Sequence, residues 1–251
     1  MKTKIILSGA CGRMGKAVYE AVALSDDCEI VAGVDVCANA TLPYPVYASF
    51  SDIKETADVV VDFSHHTAVV AVLDYAKAHG IPAVIATTGH NDDECAYMED
   101  AAKVIPVFYS RNMSLGINLM IALAKKAASV LGTSFDIEIV EEHHSKKLDA
   151  PSGTALMLAD AIRDTLDTKT EYVYDRHLDR RERAKGEIGI HSVRGGSIVG
   201  EHEVIFAGKD EVVRIHHSAF SRDVFAKGAL SAAKYLIGKP AGLYNMENML
   251  G

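Results

Sequence analysis

The sequence predicts an α/β protein: a Rossmann-like domain on a parallel sheet, and a smaller α+β domain with an open sheet. Three observations carry that expectation. From Lys4 to Tyr109 apolar runs of strand length alternate with amphipathic runs of helix length, the rhythm of a parallel sheet with right-handed crossovers. The first apolar run passes straight into Gly9-Ala10-Cys11-Gly12-Arg13-Met14-Gly15, a glycine loop in the strand–loop–helix context of a dinucleotide fingerprint. From Ser114 the pattern changes to a long Ala- and Leu-rich helix and then to short strands with glycines between them, which suggests a separate α+β unit.

The totals set the bounds. The chain has 251 residues, 49% hydrophobic and 24% charged, enough for one large domain or two modest ones. A net charge of -8 argues against general nucleic-acid binding, and any anionic substrate needs local positive charge. No apolar run approaches the roughly 20 residues of a membrane span, and residues 5–7 are too short a run for a signal peptide. Cys11, Cys28, Cys37 and Cys95 are scattered, as in a reducing compartment. The expected location is the cytoplasm, with neither nucleic acid nor membrane as partner.

The elements follow in order. Residues 4–8 read as a buried strand and 16–24 as a helix; the glycines between them let the backbone approach a pyrophosphate at the helix start. The next strand, 29–35, ends in Asp35, 20 residues after Gly15. A carboxylate there accepts from the ribose hydroxyls of NAD and repels the extra phosphate of NADP. No Lys or Arg occurs between Lys16 and Lys54, so Arg13 is the one nearby cation. After a connection with Pro43 and Pro45, strands are expected at 58–63, 81–86 and 104–109 and helices at 67–79 and 91–103. Ligands in such sheets lie beyond the strand carboxyl ends, here Phe63-Ser64-His65-His66, Thr87-Thr88-Gly89 and Ser110-Arg111-Asn112-Met113.

In the second part, a helix is expected at 117–131, a strand at 135–140, a helix from about 154, and strands at 188–193, 203–206 and 212–216. Residues 168–185, with Arg176, Asp179, Arg180, Arg181, Glu182, Arg183 and Lys185, read mostly as a solvated loop. A helix at 220–237 precedes a loop-like tail, 240–251. The dinucleotide-binding domain is expected to be discontinuous, 1–113 with 219–251, around a second domain at 114–218.

Glu141-Glu142-His143-His144-Ser145-Lys146-Lys147-Leu148-Asp149-Ala150-Pro151-Ser152-Gly153-Thr154-Ala155 gathers acid, base, ammonium and hydroxyl between an expected strand and an expected helix. Such connections sit on a rigid frame where binding groups are placed, and Ser152-Gly153-Thr154 opens the helix with backbone N–H groups for an anion. Glu141 and Glu142 form either a carboxylate pair for acid/base work or, the favoured reading, support for the histidines. The pairs His65-His66, His143-His144 and His216-His217 do not chelate, because adjacent strand residues point to opposite faces. No metal site is expected. Arg194-Gly195-Gly196-Ser197 reads as a tight turn, with Arg194 able to face an anion.

These motifs together resemble the 4-hydroxy-tetrahydrodipicolinate reductase (dihydrodipicolinate reductase) family of the diaminopimelate–lysine pathway. The resemblance extends through Asn112-Met113-Ser114, Gly200-Glu201-His202, Phe225-Ala226 and Gly228-Ala229 to Gly242-Leu243-Tyr244, and Glu-x-His-His-x-x-Lys-x-Asp-Ala-Pro-Ser-Gly-Thr-Ala is its most specific part. It implies a homotetrameric cytosolic oxidoreductase, with 114–218 as its substrate-binding and tetramerisation domain, that transfers a hydride from a nicotinamide to a cyclic, unsaturated, dianionic dicarboxylate. It implies His143 as proton donor and Lys147 as second catalytic group, with His144, Lys147, Ser152, Gly153 and Thr154 on the substrate carboxylates. It assigns the cofactor to Gly9, Ala10, Cys11, Gly12, Arg13, Met14, Asp35, Ala86, Thr87, Thr88, Gly89, Ser110, Arg111, Asn112 and Met113. Members that accept NADPH often carry a basic residue just after the acid, where Val36 and Cys37 stand here. NADH is therefore the expected donor, with NADPH second to it. A different Rossmann dehydrogenase acting on a small carboxylate or semialdehyde is the alternative, and a nicotinamide-sensing regulator the third reading.

Overall fold

The computed structural model describes residues 1–37, 42–166, 168–177 and 180–251. They form two compact units, Met1–Leu115 with Arg222–Gly251, and Gly116–Ser221. Of the charge-rich run, Asp179 lies outside the described residues.

The first unit begins with β1 (Thr3–Ser8), α1 (Arg13–Ala23) and β2 (Cys28–Val34), followed by β3 (Val46–Tyr47), β4 (Val59–Asp62) and α2 (Val69–His79). It continues through β5 (Ala83–Ile85), α3 (Asp92–Ala101) and β6 (Pro106–Tyr109). The second unit holds α4 (Leu115–Leu131) from its second residue on, β7 (Asp136–His143), α5 (Gly153–Thr165), β8 (Glu171–Val173), β9 (Glu187–Arg194), β10 (Gly200–Ala207) and β11 (Val212–Ala219). The chain then returns to the first unit with α6 (Asp223–Leu236), β12 (Gly242–Tyr244) and α7 (Met246–Leu250).

The first sheet has the order β12-β6-β5-β4-β1-β2-β3, and every pairing is parallel. Its central strands are apolar on both faces, as helices on both sides require. Ile5, Leu7, Val59 and Val61 pack with residues of α1 and α6, while Ile6, Val60 and Ile85 pack with residues of α2 and α3. Truncating one such side chain, Ile6→Ala for example, costs about 2–5 kcal/mol. Because β1 lies between β2 and β4, the loop after it opens at the point where the winding reverses, where ligands of such sheets bind.

The second sheet is mixed, in the order β11-β10-β7-β9-β8. β10 runs antiparallel to β7 and β11, and β7 and β9 are parallel. One face, with Ile137, Ile139, Ile188, Ile190, Val204 and Phe206, is closed by Met120, Ala124 and Ala128 of α4 and Leu158 and Ile162 of α5. Strand alternation puts Glu138, Val140 and Glu142 on the other face.

Five expectations need correction. The tail is not a loop: Gly242–Tyr244 adds an edge strand to β6 and α7 follows. Three strand residues, with Leu243 47% exposed, are too few to register as a period. The Pro-containing connection holds β3, paired to β2, and the charge-rich run opens with β8, paired to β9. That run is not simply solvated either. Arg176 and Arg181 bond Glu187, and Arg176 and Arg183 bond Glu138, so strand carboxylates pin it. β7 extends three residues beyond the expected strand, to His143. Finally, residues Leu115–Ser134 form a helix long and apolar enough to cross a membrane by length and composition, although Met120, Ala124 and Ala128 pack it into the core of the second unit.

Candidate active site

Because β7 reaches His143, Glu141 and His143 lie two residues apart on one strand and project from the same face. Glu142 projects from the other, so no Glu141–Glu142 carboxylate pair forms. Glu141 is fully buried, and donors of His143, Arg194, Ser152 and Ser192 meet its carboxylate. Oε2 accepts from His143 Nδ1 at 2.6 Å and Arg194 Nη1 at 2.8 Å. Oε1 accepts from Arg194 Nη2 at 2.6 Å and the Ser152 backbone N–H at 3.1 Å. Burial opposes its ionisation, but the bonds from Arg194, Ser192 and His143 outweigh it and hold the pKa down at about 2. Glu141 is thus an anion at every working pH.

An ionised carboxylate only accepts hydrogen bonds, so His143 carries its fixed proton on Nδ1 and presents Nε2 as the atom that gains and loses one. Beside Nε2 stands Gly200, where an added Cβ would lie 3.1 Å away. Burial, reinforced by the charges of Lys147 and Arg194, lowers the His143 pKa against the pull of Glu141. The imidazolium therefore gives up its proton readily. His202 stands edge-on to His143 with ring centroids 5.3 Å apart. It is 4% exposed, and burial, with the positive neighbours, pushes its pKa down to about 3.

Ser152 caps α5: its Oγ accepts from the Ala155 N–H at 3.1 Å and meets His202 Nε2 at 3.0 Å. With its own N–H on Glu141 and 2% exposure, Ser152 is committed to the frame, and the helix start is offered by its neighbours. Gly153 is exposed, Thr154 follows it, and the first turn of α5 contains no acidic side chain. Lys147 is brought back toward the strand by a turn in which its N–H donates to the His144 carbonyl at 3.0 Å. Its Nζ pairs with Asp149 at 2.8 Å, and Arg194 Nη2 donates to the Asp149 carbonyl at 2.8 Å. His144, Lys147, Gly153 and Thr154 thus surround the strand end that bears His143, while Ser152 supports it from beneath.

The expected cofactor residues belong to the other unit. Gly9 has φ of +78° and lies against the Phe63 carbonyl, and a Cβ on Gly15 would overlap the carbonyl oxygens of Gly9 and Ala10. Gly12 caps α1 without any side chain, and α1 has no acidic residue in its first turn. Its positive end is therefore open to a phosphate, beside the exposed Arg13 and half-buried Met14 and Cys11. Asp35 accepts from the backbone N–H groups of Cys11 at 2.9 Å and Cys37 at 3.1 Å, which fixes a carboxylate next to the loop. These features fit a dinucleotide.

Beyond β5 lie Ala86, the buried Thr87, and the exposed Thr88 and Gly89; the Thr87 hydroxyl is bonded to Asp62. Beyond β6, Ser110 Oγ bonds the Asn112 carbonyl at 2.8 Å and Arg111 is exposed. Met113 is 2% exposed and belongs to the core, so the Thr87 and Met113 side chains shape these loops from within.

Arg194, His202 and Gly200 were not among the expected site residues. Sheet register brings them in: His143 pairs with Arg194 across β7–β9, and Glu141 with His202 across β7–β10. The reading of Arg194 as a cation facing an anion pointed the right way, and the anion is the protein's own Glu141.

Known proteins align with the whole chain. The family description "Dihydrodipicolinate reductase, N-terminus" matches residues 3–113 and "Dihydrodipicolinate reductase, C-terminus" matches residues 116–250. A 4-hydroxy-tetrahydrodipicolinate reductase of Caldanaerobacter subterraneus subsp. tengcongensis is 54% identical over 250 residues, covering 100% of this chain and 99% of the relative. That of Clostridium novyi is 45% identical, covering 99% and 98%. A dipicolinate-bound dihydrodipicolinate reductase from Paenisporosarcina sp. TG-14 superposes with a TM-score of 0.82 at 25% identity, covering 98% of both chains.

Proposed function

This chain belongs to the dihydrodipicolinate reductase family, and on that premise we propose how its own residues divide the work. The reaction is the nicotinamide-dependent reduction of 4-hydroxy-tetrahydrodipicolinate, or dihydrodipicolinate, to tetrahydrodipicolinate in lysine and diaminopimelate biosynthesis. The residues of 1–113 and 219–251 bind the cofactor: the glycine loop and the start of α1 take the pyrophosphate, and Asp35 takes the adenosine ribose. Ala86 to Gly89 and Ser110 to Met113 hold the remainder. A bound reduced nicotinamide supplies the hydride, and Asp35, with no cation after it, makes NADH the preferred donor over NADPH.

Residues 114–218 bind the substrate. Two carboxylates on an acidic protein need a concentrated positive site. Lys147, His144 and the amides of Gly153 and Thr154 supply charge and donors at one strand end. Lys147 exchanges Asp149 for a substrate carboxylate. Reduction leaves an electron-rich enamine-like system that takes up a proton, and His143 delivers it from Nε2. The observation that carries this assignment is the 2.6 Å bond from Nδ1 to Glu141, which leaves Nε2 as the exchanging atom. The outer face of the second sheet, with Glu142, Glu201 and Glu203, is the surface through which four copies assemble in the cytoplasm.

The test is oxidation of reduced nicotinamide with freshly generated substrate. Wild type turns over; His143→Gln and Lys147→Ala each lose most of kcat/KM. Turnover that survives both changes together sinks the assignment. Sedimentation of the wild type checks the four-copy assembly.

A further inference from the structure

We propose that Glu141 is the positioning residue of the proton donor: held as an anion by Arg194, it fixes the His143 proton on Nδ1, aims Nε2 outward, and ties that ring to the Lys147 loop. The inference deepens the reading of His143 as proton donor and rests on it.

The argument is one of occupied lone pairs. Each oxygen of Glu141 accepts two hydrogen bonds, Oε2 from His143 and Arg194 and Oε1 from Ser152 and Arg194. A fully buried carboxylate so surrounded has one orientation and one charge. Neutral imidazole can place its proton on either nitrogen, and the partner of one nitrogen decides the state of the other. With Glu141 as that partner, only the Nδ1–H form fits, and the transferable proton resides on Nε2.

Arg194 has a double task. The guanidinium that clamps Glu141 also donates to the carbonyl of Asp149, the residue that pairs with Lys147. The carboxylate behind the proton donor and the loop that bears the Lys147 ammonium therefore share one rigid fork. The strand backbone joins the same unit, since the Gly195 N–H donates to the His143 carbonyl at 2.9 Å.

The charged and titratable groups facing His143 come from every surrounding element. They are Glu141 on its own strand, Lys147 and Asp149 on the loop, Arg194 on β9, and His202 on β10, with His217 of β11 behind His202. His202 stays neutral and the cations of Lys147 and Arg194 oppose a second positive charge. Glu141 alone among them makes a direct bond that favours the imidazolium.

A glutamine tests this sharply. An amide must turn its NH2 toward one pair of donors. Toward Ser152 and Arg194 Nη2 it meets two groups that can only donate. Toward His143 it meets one such donor, Arg194 Nη1, and a ring that can answer by moving its proton to Nε2. Glu141→Gln should therefore switch the neutral tautomer of His143, read from the ring 15N shifts of histidine-labelled protein. It should lower kcat on the order of 10²-fold with substrate KM changed little. It should also move the basic limb of the pH–rate profile to lower pH, because the bond that favours the imidazolium is lost.

In a His143→Gln background, the same Glu141→Gln change should cost almost nothing further, since Glu141 acts through that ring. If Glu141→Gln folds poorly, Arg194→Lys, which keeps a charge but breaks the bidentate clamp, should shift the same pH limb. An unchanged tautomer and pH profile in Glu141→Gln, or full additivity in the double variant, overturns the proposal. Full activity in His143→Gln alone would instead overturn the proton-donor reading beneath it.

Discussion

Gly200 stands where a side chain would crowd the working atom of His143: an added Cβ lies 3.1 Å from Nε2. The spot is on β10 opposite Ala219, a buried strand position that has no conformational need for glycine. The missing side chain gives space to the imidazole.

The first prediction follows. In Gly200→Ala the ring of His143 must shift by a few tenths of an ångström, pivoting on its bond to Glu141. Displacing a reacting group by about 1 Å costs about 10²-fold, so this smaller shift should lower kcat roughly tenfold, with substrate KM near the wild-type value. Steady-state kinetics and a melting curve decide it. A kcat equal to wild type would show that Nε2 needs no room on that side.

Lys147 should separate from His143 by the parameter it changes. Its ammonium pairs with Asp149 at 2.8 Å, and a substrate carboxylate would take that place. Losing one charge-assisted contact of about 1.5–3 kcal/mol corresponds to about 10–100-fold in kcat/KM. In Lys147→Ala most of this should appear in KM, and Lys147→Arg should recover part of it. In His143→Gln the loss should appear in kcat. A Lys147→Ala enzyme with unchanged KM would remove the ammonium from substrate binding.

The acid side of the stability profile should show two overlapping windows. His202 has a folded pKa of about 3 against an ordinary 6.5. Between those values the unfolded chain binds the proton that the folded chain refuses. Its contribution is full above pH 6.5 and falls as the pH is lowered, by about 2 kcal/mol at pH 5. Glu141, at about 2 against 4.5, adds a second loss between pH 4.5 and 2. Urea unfolding at pH 7.5 and pH 5 should therefore differ in wild type and differ less in His202→Gln, which keeps a donor for Ser152 but does not titrate. His90, His143 and His217, also lowered by burial, leave a remainder. The same pH dependence in both proteins would clear His202 of the effect.

The first unit was largely legible in the sequence because its strands are buried on both faces and its helices are periodic. Runs such as Val59 to Val61 admit few other readings. The glycine loop and Asp35 were legible because the fingerprint is local. What stayed hidden is what sheet register creates. Arg194 and His202 lie 53 and 61 positions after Glu141 in the sequence and meet it only when β9 and β10 flank β7. The stretch from Glu141 also read as a connection when its first three residues are strand, a consequence of polar side chains on both faces where alternation cannot signal. Ser152 bonds Glu141, Ala155 and His202, partners that only the fold brings to it. Residues 240–251 failed to announce β12 because an exposed edge strand of three residues has no periodicity to read.

Cofactor choice should rest on Asp35 and on how it is held. Its carboxylate is fixed by the N–H groups of Cys11 and Cys37, so it cannot swing aside to admit a 2′-phosphate without leaving two backbone donors unpaired. Val36 and Cys37 offer that phosphate no cation, and Arg13 is the one basic side chain of the loop. NADH should therefore exceed NADPH in kcat/KM. Asp35→Ala should narrow the ratio from both sides, weakening NADH through the lost ribose contact and relieving the repulsion toward NADPH. The measurement is kcat/KM for both donors in wild type, Asp35→Ala and Arg13→Ala. If wild type uses the two equally and Arg13→Ala alone abolishes NADPH use, Arg13 supplies the missing cation and the acid does not decide the choice.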